Sequence, residues 1–254
     1  MSKKETKEVV PAATMSVAEQ QGLEKINEDH RISGSFDGSD IILPKILLMQ
    51  AISQLVEAEK ARAGDFVHSL DEVVIGKKED EPVEFIALGR FETLQTYEDK
   101  KYVKTEAVTF ENKQLPWTEV INGVEINRIL TNNYYVIRTK DVEDMTVFPM
   151  VITFKRTSFK AGKKLNTKIT MLEDFGAACY AKTFSLVAKS EEGDKGKYYV
   201  LDIVDGRKSN EGEVTIAKKW ADRLKASTVQ VHDADEEGES PTAAPAKGEA
   251  NIDF

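Results

Sequence analysis

Apolar and polar side chains alternate over much of residues 81–98 (EPVEFIALGRFETLQTYE), which predicts a long strand bent at Gly89. Residues 100–110 (KKYVKTEAVTF) continue from it and read as its hairpin partner. Residues 111–127 hold Pro116 and the pair Asn122-Gly123, the marks of a turn-rich insertion. A further strand is predicted at 129–140, followed by an acidic turn at 141–144. The apolar run VFPMVITF at 147–154 then reads as a buried strand.

From there the period changes to helical. Lys160, Lys164 and Lys168 fall at i, i+4 and i+8 with Lys163 beside them, while Gly162, Leu165, Ile169 and Leu172 fall on another face. A helix over about 158–175, packed on one side and cationic on the other, is the expectation. The same pattern also suits a solvated lysine face. Two more strands are predicted at 179–192 and 197–207, joined by a turn at 193–196. A last helix at 215–227 carries Ile216, Trp220 and Leu224 on one face. Upstream, residues 41–66 read as a strand and a short helix ended by Gly64.

Strands near 83–97, 130–140 and 147–155, a helix at about 158–174, and strands near 181–189 and 197–205 follow the element order of an OB-fold. That fold is a Greek-key barrel with its helix between the third and fourth strands. The expected class is mainly β with helices (α+β), with a plain antiparallel sheet and a packed helix as the alternative. The domain prediction is a disordered segment at 1–40, an OB-fold-like domain at 41–227 with an insertion near 100–127, and a disordered tail at 228–254.

Charge sharpens this division. The 254 residues carry a net charge of −9, which argues against a polyanion partner until its distribution is read. Residues 1–40 hold five basic and eight acidic side chains, and residues 233–254 hold one basic and seven acidic, so the middle is neutral. Within it the stretch 153–168 (TFKRTSFKAGKKLNTK) has six cations and no acid.

Other chemistry is thin. The single cysteine, Cys179, has no partner for an internal disulfide, and His30, His68 and His232 are scattered, so no zinc spacing, metal or cofactor is expected. No run of about 18 apolar residues and no secretory h-region occur, so a cytoplasmic, non-membrane protein is expected. No phosphate-loop, nucleophile-elbow or zinc-protease motif is present, so no enzyme is expected.

The end of the chain is the most specific signal. An acidic, Pro/Ala/Gly-rich tail with Asp235, Glu236 and Glu237 closes in Ile252-Asp253-Phe254, an apolar tip suited to capture by a partner pocket with a basic rim. Such a tail resembles those of the single-stranded DNA-binding proteins of bacteria and tailed bacteriophages. The bacterial form commonly closes in Asp residues before Ile-Pro-Phe; this chain lacks that Pro and is more similar to the phage forms. The segment RTSFKAGKKLNTKI, with Leu165-Asn166 after a Lys-rich turn, is also similar to phage single-stranded DNA-binding and annealing proteins.

The resemblance implies an OB-fold core that holds a DNA strand and a tail that binds replication and recombination proteins. Sequence-independent binding needs cations on phosphates and flat rings under bases. The candidate cations are Arg138, Lys140, Lys155, Arg156, Lys160, Lys163, Lys164 and Lys168. The candidate rings are Tyr134, Tyr135, Phe154, Phe159, Tyr198 and Tyr199, with alternation sending one member of each tyrosine pair outward. Trp117 is a further exposed candidate. The tail is also expected to compete with DNA for the cations. A strand-annealing protein, a virion or assembly protein, and homo-oligomerisation remain open at this stage.

Overall fold

In a computed structural model the described residues are 42–78, 81–193, 196–226 and 230–231, all within the compact unit Asp37–Phe254. In chain order they form β1 (Ile42–Leu43), β2 (Ile46–Leu48), α1 (Gln54–Glu57), β3 (Phe66–His68), β4 (Val74–Gly76), β5 (Val83–Glu98) and β6 (Lys101–Ala107). Then come α2 (Phe110–Lys113), β7 (Thr118–Ile121), β8 (Val124–Arg138), α3 (Thr139–Glu143), β9 (Met150–Phe154) and α4 (Phe159–Asp174). The last elements are β10 (Lys182–Gly193), β11 (Gly196–Lys208), α5 (Glu211–Ala226) and β12 (Gln230–Val231). The predicted 1–40 segment and the tail with Asp235, Glu236, Glu237, Ile252, Asp253 and Phe254 lie outside the described residues.

The long β5–β8 ladder is the spine. Its register shifts between Ala87 and Gly89, where the bend was predicted. At one end the antiparallel order is β9-β8-β5-β10-β11; at the other, β6 and β7 flank the same two strands and extend them into a four-stranded arm. The sheet is open: β9 and β11 do not pair with each other among the described residues, so the closed barrel is not what forms. Instead, the Pro44 carbonyl accepts from Val151 N at 2.8 Å, Lys45 bridges Val151, and the Gln50 amide spans the Tyr199 backbone at 2.9 and 3.0 Å. Residues 44–50 thus occupy the space between the two outer strands.

Both faces of the sheet are covered. On one, Tyr134, Val136, Phe154, Phe85, Phe184 and Ile203 pack against Leu165 and Ile169 of α4 and against β2 and β3. Burying each large aliphatic side chain is worth about 1.5–3 kcal/mol. Gly162 lets the helix sit directly on the strand, since a Cβ there would stand 2.8 Å from Phe154 Cβ. On the other face, Ile86, Leu88, Tyr135, Ile137 and Val151 pack against Ala217, Ala221 and Leu224 of α5.

Capping explains how α5 is held there. Asn210 Oδ1 accepts from Glu213 N at 2.9 Å, and Asn210 N donates to Glu213 Oε2 at 2.7 Å, a reciprocal N-terminal box. The buried Glu213 carboxylate also takes two hydrogen bonds from Arg207 at 2.7 and 2.8 Å, tying the helix to β11. No helix of the described residues is long and apolar enough to cross a membrane.

Candidate nucleic-acid interface

β9 delivers the chain into α4 through a 3-10 turn, Arg156–Ser158, in which Arg156 has φ +47°. A left-handed backbone costs a non-glycine residue about 1–2 kcal/mol, and here it turns the chain sharply from strand to helix. Arg156 consequently lies over the Tyr97 ring, 5.5 Å from its centroid. The first turn of α4 contains no acidic residue and Ser158 does not cap it, so its amides add positive potential to Lys155, Arg156, Lys160 and Lys163. Lys160 and Lys163 are exposed and meet no carboxylate among the described residues; Lys163 stands 5.2 Å from the half-buried Phe159 ring.

Ser158 has another task. Its hydroxyl accepts from Leu201 N at 3.1 Å, which fastens the start of α4 to the outer edge of β11. Two residues along that strand, about 7 Å away, the half-buried Tyr199 ring has Lys78 at 5.2 Å and Lys197 at 5.9 Å from its centroid. Its hydroxyl also accepts from Lys78 Nζ at 3.1 Å. Gly64, at φ +95°, lets the chain pass close to this ring, since a Cβ there would stand 3.0 Å from Tyr199 Cε1. Cations and two half-buried rings, Phe159 and Tyr199, the latter packed against the core, therefore surround the α4–β11 junction.

The other predicted residues are placed differently. Tyr134, Tyr135 and Phe154 are fully buried and offer no ring to a base. Alternation does send the two tyrosines to opposite faces, but α5 covers the second face; burial raises both phenols to about 12. Lys164 is matched to Asp202 at 3.0 Å and Lys168 to Asp205 at 2.5 Å, with Lys189 and Lys182 closing the same carboxylates. Hydrogen bonds from Lys168 and Lys182 hold the Asp205 carboxyl below its usual range. Burial works to raise that of Asp202, but its bonds from Lys189, the Ile203 amide and Lys164 outweigh this and lower it. Lys164 and Lys168 thus staple α4 along the β11 edge.

Arg138 makes a two-pronged pair with Asp141 on α3, and the exposed Lys140 follows on that helix, which packs beside α5 rather than α4. Tyr198 donates its hydroxyl to Glu191 at 2.9 Å on the β10–β11 hairpin. Trp117 is half-exposed on the arm, not at this junction. Lys78, Lys197 and Ser158 are the residues that sequence reading missed; the one local signal was Lys197 preceding the tyrosine pair. Among the described residues no group of His, Cys, Asp or Glu is arranged to hold a metal. Burial raises the Cys179 thiol to about 11, so the thiolate is scarce at neutral pH.

No curated protein and no solved structure matches this chain. Its sequence does match one family over residues 12–230, most of its length, and the chain thus belongs to the Pam3 phage gp34-like protein family of bacteriophage proteins.

Proposed function

We propose that this phage protein binds single-stranded DNA without sequence preference and without catalysis, through the α4–β11 junction. The observation that carries the reading is the gathering of Lys155, Arg156, Lys160 and Lys163 at the amide end of α4, beside Tyr199 with Lys78 and Lys197. Cations that track phosphates and rings that accept bases are the two requirements of such binding. The sheet order β9-β8-β5-β10-β11, with α4 between β9 and β10, is that of an OB-fold opened between its third and fifth strands, a fold that is itself only partly closed.

The tail fits the same reading. The described chain ends at Val231, paired beside Leu43, next to the segment that joins β9. Twenty-three residues of sequence follow it. Their acidic side chains compete with DNA for the cations, and Ile252, Asp253 and Phe254 recruit replication and recombination proteins in the host cytoplasm.

Fluorescence anisotropy with a labelled oligothymidylate tests this. Salt-sensitive binding that leaves the strand intact in Mg²⁺ is expected; absence of binding at low salt overturns it. The exposed apolar arm favours a second reading, an assembly protein of the phage particle, under which no oligonucleotide binds.

A further inference from the structure

The seven-stranded sheet has four edges, and three are blunted. On β11, Gln50 and Ser158 take up the outward groups of Tyr199 and Leu201. On β9, Pro44 takes the Val151 amide. On β6, Lys101 and Lys104 discourage addition of a strand. Among the described residues the β7 edge has no such device. Arg128 N donates to Trp117 O at 2.7 Å, so positions 117, 119 and 121 bond inward to β8, while Thr118 and Val120 turn their N–H and C=O outward. Around this edge Val120 is 68% exposed, Trp117 51% and Ile121 44%.

Turns and hydrogen bonds brace the arm that carries the edge. It ends in two adjacent tight turns, with positive φ at Asp99, Lys100, Asn122 and Gly123. They are joined by Asp99 N to Glu125 O at 2.9 Å and Glu125 N to Asp99 Oδ1 at 3.1 Å.

We propose that β7 pairs antiparallel with β7 of a second copy, about a two-fold axis through Glu119. This register alone sets both outward-bonding residues against each other, Thr118 opposite Val120 of the second copy and the reverse, which provides four backbone hydrogen bonds. It also sets Trp117 opposite Ile121 of the second copy, twice, on one face, an aromatic–β-branched pairing that stabilises antiparallel sheets. Glu119 meets its own counterpart at the axis, but each carboxylate lies 2.5 Å from Arg128 of its own chain, so the centre is neutral. The strand is only four residues long, well under a standard interface, so the dimer is weak and concentration-dependent.

The full chain tests it. Sedimentation velocity from about 1 to 200 µM should show the mass rising from 28.4 kDa toward twice that, with Val120→Lys held at monomer. A non-bonded antiparallel pair brings Cα atoms to about 4.5 Å, within disulfide range. Glu119→Cys in a Cys179→Ser background should therefore oxidise to a covalent dimer, and Lys104→Cys on β6 should not. A monomer at every concentration, or equal cross-linking at both positions, overturns the proposal.

Discussion

Ser158 Oγ accepts a hydrogen bond from Leu201 N at 3.1 Å, joining the first residues of a cationic helix to the edge of the last long strand. Without it the α4 amide end and the Tyr199 ring are independent features; with it they share one surface. Ser158→Ala leaves a partly buried amide unsatisfied, a loss of about 1–3 kcal/mol. Thermal melting should fall by several degrees, and oligonucleotide affinity should fall with it.

Asp202 and Asp205 neutralise Lys164 and Lys168 beside the proposed site. Asp202→Asn adds one net positive charge at the flank of the proposed site. Affinity for oligothymidylate should rise a few-fold, and the log–log salt slope should steepen by up to about 0.7. Anisotropy titrations at several salt concentrations read both.

Glu213 is buried, and its hydrogen bonds from Arg207 hold the carboxyl below its ordinary value. A folded-state value below the unfolded one stabilises at neutral pH, and that stabilisation is lost as pH falls below about 4.3 through the folded value. Glu213→Gln should lower neutral-pH stability by about 2 kcal/mol and flatten the loss of stability below that pH. Urea unfolding at pH 7 and pH 3.5 measures both.

Gly162 sits against Phe154 with no room for a Cβ. Alanine gains about 1 kcal/mol in helix propensity but overpacks the core by about 1–3 kcal/mol, so the net effect should be destabilising. Gly162→Val should cost more than Gly162→Ala in thermal melting.

The strands and helices were legible because period 2 and period 3.6 are local. Val83–Glu98, the Asn122-Gly123 turn and the packing face Gly162, Leu165 and Ile169 all follow from the residues themselves. What local pattern does not carry is which element covers which face. Alternation sends one of Tyr134 and Tyr135 outward, but α5 covers the face that Tyr135 takes; Lys164 and Lys168 read as open cations in the sequence, but β11 brings Asp202 and Asp205 beneath them. Tyr199 meets Lys78 and Ser158 meets Leu201 only through pairings of distant strands, which no spacing in the chain encodes.

The central claim rests on Lys160 and Lys163, exposed at the amide end of α4 and without a carboxylate among the described residues. Salt-dependent anisotropy of wild type and of Lys160→Glu/Lys163→Glu with one labelled oligothymidylate tests it most directly. Wild type should show a slope of about −3 to −4, and the double reversal should lose at least about tenfold in affinity and about 1.4 of slope. Equal affinity and equal slope in the two proteins would contradict the account.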